Sequence, residues 1–224
     1  MRLQAYILCL GLVPGAACAG APPPFHISAS LSASTSTELN SEIIQKPQYG
    51  ISLQGYQGPT FLGAEIRTAR SSLGTDSEDK FFVGLEQKLK PFSLRYQVTW
   101  KLYPGTKPGY NDSGLVYQVS ASHPLFGVNC SLGAEYTGED YSTTRKSYGY
   151  NVSLSRGLAP KLSGWISVQH KRNWGSVDYT NTNIGLYYQA TPKIGFSTSV
   201  NTWHAFASWG RDHPSLSISL SRRL

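Results

Sequence analysis

Within Pro91–Gly105, hydrophobic and polar residues alternate without a break from Phe92 to Leu102. Leu94, Tyr96, Val98, Trp100 and Leu102 share one parity, and Ser93, Arg95, Gln97, Thr99 and Lys101 share the other. Successive side chains of a β-strand point to opposite faces, so this stretch has one oily face and one charged face. The oily face is built from large aromatic and aliphatic groups. The polar face carries Arg and Lys in mid-strand, where a soluble sandwich would more often place Thr or Ser. The stretch can cross a bilayer as a tilted strand, which takes about 9–11 residues.

The same rule recurs along the chain, in about twelve segments by the period-2 criterion. Phe25–Thr37 sets Phe25, Ile27, Ala29, Leu31 and Ala33 against Ser28, Ser30, Ser32 and Ser34. Tyr49–Gln57, Thr60–Thr68 and Lys80–Leu89 follow, the last two with Glu65, Arg67, Glu86 and Lys88 on the polar parity. After Gly114–Ser122 comes a segment with Cys130 among its apolar positions and Asn129, Ser131 and Glu135 opposite. Four further segments place Tyr150 and Val152, Ile166 and Val168, Ile184 and Leu186, and Phe196 and Val200 on their oily faces. The last sets Leu216, Ile218, Leu220 and Leu224 against Ser215, Ser217, Ser219 and Ser221. No stretch of useful length has helical period. The pattern predicts an all-β, antiparallel transmembrane β-barrel occupying 20–224, oily outside and polar within.

Loop lengths give an independent pattern. Glu38–Pro47, SSLGTDSED, PGTKPGYND, TGEDYSTTRKS, RNWGSVDYTN and AFASWGRDH are long. Gly58-Pro59, Lys90-Pro91, HPLFG, GLAPK and Thr191-Pro192 are short, and the two kinds alternate. A barrel with an even number of strands has short periplasmic turns, longer outer loops and both termini in the periplasm. A soluble sandwich has no reason to sort its loops in this way. Phe25, Phe92, Phe126 and Phe196 fall near the short-turn ends, and Tyr136 and Tyr148 near the long-loop ends. Two aromatic girdles are what a barrel sets at the two membrane interfaces.

The N-terminus fits export. Arg2 is followed by the short apolar run Ile7–Val13 and by Ala17-Cys18-Ala19, a small-x-small site for cleavage after Ala19, so 1–19 read as a removed signal peptide. A lipoprotein signal with Cys18 as the lipidated residue is the alternative. Against it stands Gly15, where a large aliphatic residue is expected. After cleavage only Cys130 remains, so the fold must close by burial or hydrogen bonding rather than by an intrachain disulfide. The net charge of +7 could suggest nucleic acid, but the basic residues are spread over alternating strands, so no nucleic-acid partner is expected. The mean hydropathy of -0.27 is ordinary for a barrel, whose strands are apolar at every second position.

The inward face carries the candidate chemistry. Its charges are Arg67, Lys80, Lys88, Arg95, Lys101 and Lys171 against Glu65, Glu86 and Glu135. A lumen with excess positive charge favours anions, because a low-dielectric wall strengthens the field along a pore. The same charges can also pair and brace the wall, Arg95 with Glu86 for example. Trp165, Tyr187 and Trp203 also point inward and narrow the passage. None of His26, His123, His170, His204 and His213 stands in a Ser, Asp or Cys constellation, so no catalytic site is expected. No zinc-type Cys/His cluster and no phosphate-binding glycine loop occurs, so no metal or cofactor is expected either. The expected partners are outer-membrane lipid and lipopolysaccharide, the barrel-assembly machinery and small solutes. A non-conducting barrel that acts in adhesion through its long loops is the main alternative. A barrel-embedded hydrolase and a secreted soluble β-barrel are the others.

Gln45–Ala69, Asp79–Leu85 and Val98–Gly105 together resemble the porins of the Gcw_chp, or TorF, type. The matching residues are Pro47, Gln48, Phe61, Gly63, Leu102, Tyr103, Pro104 and Gly105. The resemblance implies an outer-membrane barrel and a pore, and no catalytic residues. The chain departs from the family at Leu31–Thr37, where Ser and Ala replace an Arg-Gly pair, and at Leu224, where barrels commonly end in Phe.

Overall fold

A computed structural model describes residues 24–38, 47–68, 76–140, 146–174, 177–206 and 213–223. The signal segment, its cleavage site and Leu224 lie outside them. Twelve strands follow in chain order: β1 (His26–Glu38), β2 (Gln48–Gln57), β3 (Thr60–Thr68), β4 (Ser77–Leu89), β5 (Phe92–Leu102), β6 (Ser113–Leu125), β7 (Val128–Thr137), β8 (Ser147–Ala159), β9 (Leu162–Asn173), β10 (Tyr179–Gln189), β11 (Ile194–Ala205) and β12 (His213–Arg223). Each pairs antiparallel with its sequence neighbours, and β1 pairs with β12, so the sheet closes. Closure gives every strand a partner on both sides, which a strand in hydrocarbon requires.

The strands are longer than the apolar alternation indicates. β6 and β8 run into the segments read as short connections, leaving two-residue turns at Phe126-Gly127 and Pro160-Lys161. Phe126 therefore sits in the short turn itself, with a positive φ of 51°. β9 continues to Asn173 and β10 begins at Tyr179, so the connection read as RNWGSVDYTN shrinks to 174–178.

The faces are inverted relative to a soluble fold. Among the described residues the buried hydrophobic side chains are Phe61 and Val116. The exposed large ones run all round the wall, from Ile27 and Leu53 through Trp100, Leu132 and Ile184 to Leu220. An apolar surface this continuous suits lipid, not water. At the long-loop end Tyr117, Tyr136, Trp174, Tyr148 and Tyr150 form a continuous chain of ring contacts across β6 to β9. This is one of the two aromatic bands that the sequence suggests.

Candidate functional site

The inward parity divides into two unlike walls. Over β11, β12, β1 and β2 it is dominated by serines, many of them paired across strands. Ser32 lies opposite Ser221, Ser34 opposite Ser219 and Ser199 opposite Ser217. Ser30 and Ser52 share a 2.7 Å hydrogen bond, and Ser197 bonds Ser219. These short side chains bring hydroxyls to the lumen without filling it.

The other wall, β3 to β5, carries most of the charge. Glu78 is its centre, with a side chain only 5% exposed. Arg67 donates to it from Nε at 2.6 Å, and the Tyr103 hydroxyl donates at 2.9 Å. Lys101 lies 3.5 Å away and Lys80 3.9 Å away, and Lys80 also reaches Glu65 at 3.3 Å. The pairing follows from register, since Arg67 lies opposite Glu78, Glu65 opposite Lys80 and Lys80 opposite Lys101. Nearer the short turns, Arg95 lies 4.0 Å from Glu86, its partner across β4–β5. Lys171 of β9 reaches Glu135 of β7 at 3.1 Å across the intervening β8. Lys88 lies with Glu86, Tyr56 and Pro59 around a cavity of about 490 Å³ at the short-turn end.

An aromatic cluster thickens the charged wall. Phe61 contacts Tyr56 and Phe82, and the Arg95 guanidinium lies 3.9 Å from the Phe61 ring centroid. These rings occupy the inward parity, against the apolar-outside rule, because glycines opposite them leave room. Phe61 lies over Gly84, and Phe82 lies over Gly63. The Trp165 ring covers Gly185 in the same way, and Tyr187 covers Gly195. Trp165 donates from Nε1 to the Asn183 amide oxygen at 3.1 Å, and Trp203 packs against Tyr179 with centroids 5.7 Å apart.

Between these features lies a cavity of about 280 Å³, lined by Arg95, Gln97, Gln118, Glu135, Asn151 and Gln169 among others. Its lining spans β5 to β9, so it is inside the barrel and not a groove between neighbours. Gln97 links the wall laterally, accepting from Arg95 at 3.1 Å and donating to Gln118 at 3.2 Å. The amides offer donors and acceptors at one level, a lining suited to polar solutes.

All eight charges proposed from sequence (Glu65, Arg67, Glu86, Lys88, Arg95, Lys101, Glu135 and Lys171) lie on the inward parity. The structure joins Arg67, Lys101 and Glu65 into one network through Lys80 and Glu78; Glu135–Lys171 and Glu86–Arg95 form their own ion pairs, the first close enough for its charges to act on Lys101. Sequence reasoning missed Glu78 and Tyr103, as well as the Phe61–Phe82 pair and the amide level. Their one advance signal is parity: Glu78 continues the series of Lys80, Glu86 and Lys88.

No family model matches the chain, and no curated protein matches it. Solved structures do. The fold is similar to that of the KdgM porin, with a TM-score of 0.63 at 10% identity, covering 86% of this chain and 98% of that one. An outer membrane channel from Pseudomonas putida F1 gives a TM-score of 0.55 at 12% identity, covering 92% and 97%. Outer membrane phospholipase A from Escherichia coli gives 0.51 at 13% identity, covering 87% and 92%. The chain therefore has the fold of an outer-membrane β-barrel. Channels and an enzyme share that fold, so function has to be argued from the lumen.

Proposed function

We propose that the protein is an outer-membrane channel for small hydrophilic solutes, with a preference for anions. The observation that carries this reading is the cavity inside the barrel, edged by Arg95 and lined by amides. Similarity of fold to a porin and to an outer membrane channel supports it.

The anion preference rests on charge. Among the described side chains the inward cations are Arg67, Lys80, Lys88, Arg95, Lys101, Lys171 and Arg223; the inward carboxylates are Glu65, Glu78, Glu86 and Glu135. Glu78 trims the positive excess that the sequence suggests but does not cancel it. Lys101 belongs to the Glu78 network, so reversing it would disturb folding. Lys88 and Arg95 are the better probes. Purified protein in a planar bilayer should give discrete conductance steps, with a reversal potential in a salt gradient that marks anion preference. Lys88→Glu with Arg95→Glu turns the excess of cations into an excess of carboxylates, and the reversal potential should change sign. Silence at every voltage would overturn the channel reading; conductance with unchanged selectivity would overturn the role of these two residues.

A further inference from the structure

The outward face holds a second polar feature, at the long-loop end of β8 to β11. A groove of about 660 Å³ opens there, with Tyr148 and Trp174 on one side, Phe206 on the other, and Arg172 and Asp178 between them. Arg172 belongs to the outward parity of β9, together with Ile166 and Val168, and its side chain is 64% exposed. Among the described strand residues it is the outward Arg or Lys in the long-loop half of the wall; Arg156 and Arg222 share its parity but lie toward the short turns.

The guanidinium is held in place. Nη1 donates to the Tyr148 hydroxyl at 3.2 Å, and Nε lies 3.6 Å from Asp178. The Asp178 carboxylate is itself engaged, since Oδ1 accepts from the Asn173 backbone at 2.9 Å. Lys146 adds a second cation, its ammonium 5.3 Å from the Trp174 ring centroid, while Asp140 accepts from the Lys146 backbone N–H. Asp178 is thus shared between the Arg172 guanidinium and the Asn173 backbone, which leaves Arg172 Nη2 without a described partner, while Lys146 lies over the Trp174 ring. His170 and His204 edge the Phe206 ring at centroid distances of 5.6 and 5.0 Å.

With the long loops outside the cell, as this architecture requires, the groove lies at the head-group level of the outer leaflet. Aromatic rings settle at that level, and an oriented guanidinium there meets anionic head groups with little ordering cost. We infer that this groove binds the phosphorylated sugar head group of an outer-leaflet glycolipid, with Arg172 gripping a phosphate and Trp174 and Phe206 flanking the sugar. The inference rests on the barrel fold and not on conduction through the lumen.

Native mass spectrometry of the detergent-solubilised barrel with bis-phosphorylated lipid A tests it. Arg172→Ala should weaken binding roughly tenfold, the worth of one charge-assisted hydrogen bond at a wet surface. Arg172→Gln, which can still meet the Tyr148 hydroxyl, should lose as much, and serves if the alanine variant does not fold. Arg156→Ala removes the same charge from the other end of the wall and should leave binding unchanged. Dephosphorylated lipid A should bind the wild type roughly tenfold more weakly, yet bind Arg172→Ala no more weakly than the phosphorylated form does. Equal affinity of wild type and both Arg172 variants would overturn the assignment. So would an equal dephosphorylation penalty in wild type and variant, or displacement of lipid A by equimolar phosphatidylglycerol.

Discussion

Replacing Glu78 by glutamine is expected to lower the unfolding free energy of the barrel by about 3 kcal/mol, the low end of the range for breaking a buried ion pair. The low end applies because Arg67 is 44% exposed and keeps part of its hydration. Glutamine matches glutamate in size, so the loss is electrostatic. Arg67, Lys80 and Lys101 would face one another with only Glu65 left to Lys80. Tyr103 would still find an amide oxygen, which preserves the base of the 103–112 loop. Glu65→Gln provides the scale. Its carboxylate is 36% exposed and holds one lysine, so its loss should cost about 0.5 kcal/mol, as for a surface pair. Urea unfolding in phospholipid vesicles, followed by tryptophan fluorescence, measures both. A loss below about 1 kcal/mol for Glu78→Gln would show that the three cations rehydrate without the carboxylate. The same variant adds one positive charge to the lumen and should raise anion selectivity.

Parity sets Glu78 in line with Lys80, Glu86 and Lys88, yet Glu78 does not read as a strand residue. It lies in SSLGTDSED, which reads as a loop because neither parity is apolar there. The ladder nevertheless extends through it, pairing Thr68 with Ser77 and Arg67 with Glu78. Backbone pairing does not need oily side chains beyond the hydrocarbon level, so alternation marks where a strand is in lipid and not where it ends. The same reason hides the ends of β6, β8 and β9. What alternation did reveal was the set of twelve strands and the inward or outward sense of each, because each crosses lipid with one face.

The interior aromatics were hidden by a different rule. Apolar-outside is a statement about lipid, and it does not forbid rings inside where glycine on the next strand makes a seat. Phe61 and Phe82 sit on Gly84 and Gly63, and neither pairing shows in either strand read alone. Parity alone turns Phe61 and Phe82 inward just as it turns Trp165, Tyr187 and Trp203; what a single strand does not show is the glycine seat on its neighbour.

That seat sets the second large effect. Gly84→Ala is expected to destabilise the barrel by about 2–3 kcal/mol, the upper part of the range for overpacking a filled site. An added Cβ would land inside contact distance of both the Tyr96 carbonyl oxygen and the Phe61 ring. The carbonyl belongs to the ladder with β5 and cannot swing away, so the ring must move, and Arg95 stacks on that ring. Gly157→Ala is the counterpart: a Cβ there meets nothing within 4 Å, and the change should stay within about 0.5 kcal/mol. The double variant Phe61→Ala/Gly84→Ala separates the two obstacles. If the ring is the main obstacle, the double variant costs clearly less than the sum of the single ones, by more than about 0.5 kcal/mol. Strict additivity would place the whole penalty on the Tyr96 carbonyl and sever the proposed link from Gly84 through Phe61 to Arg95. A shift in single-channel conductance of Gly84→Ala, matched in sign by Arg95→Ala, would be the functional trace of that link.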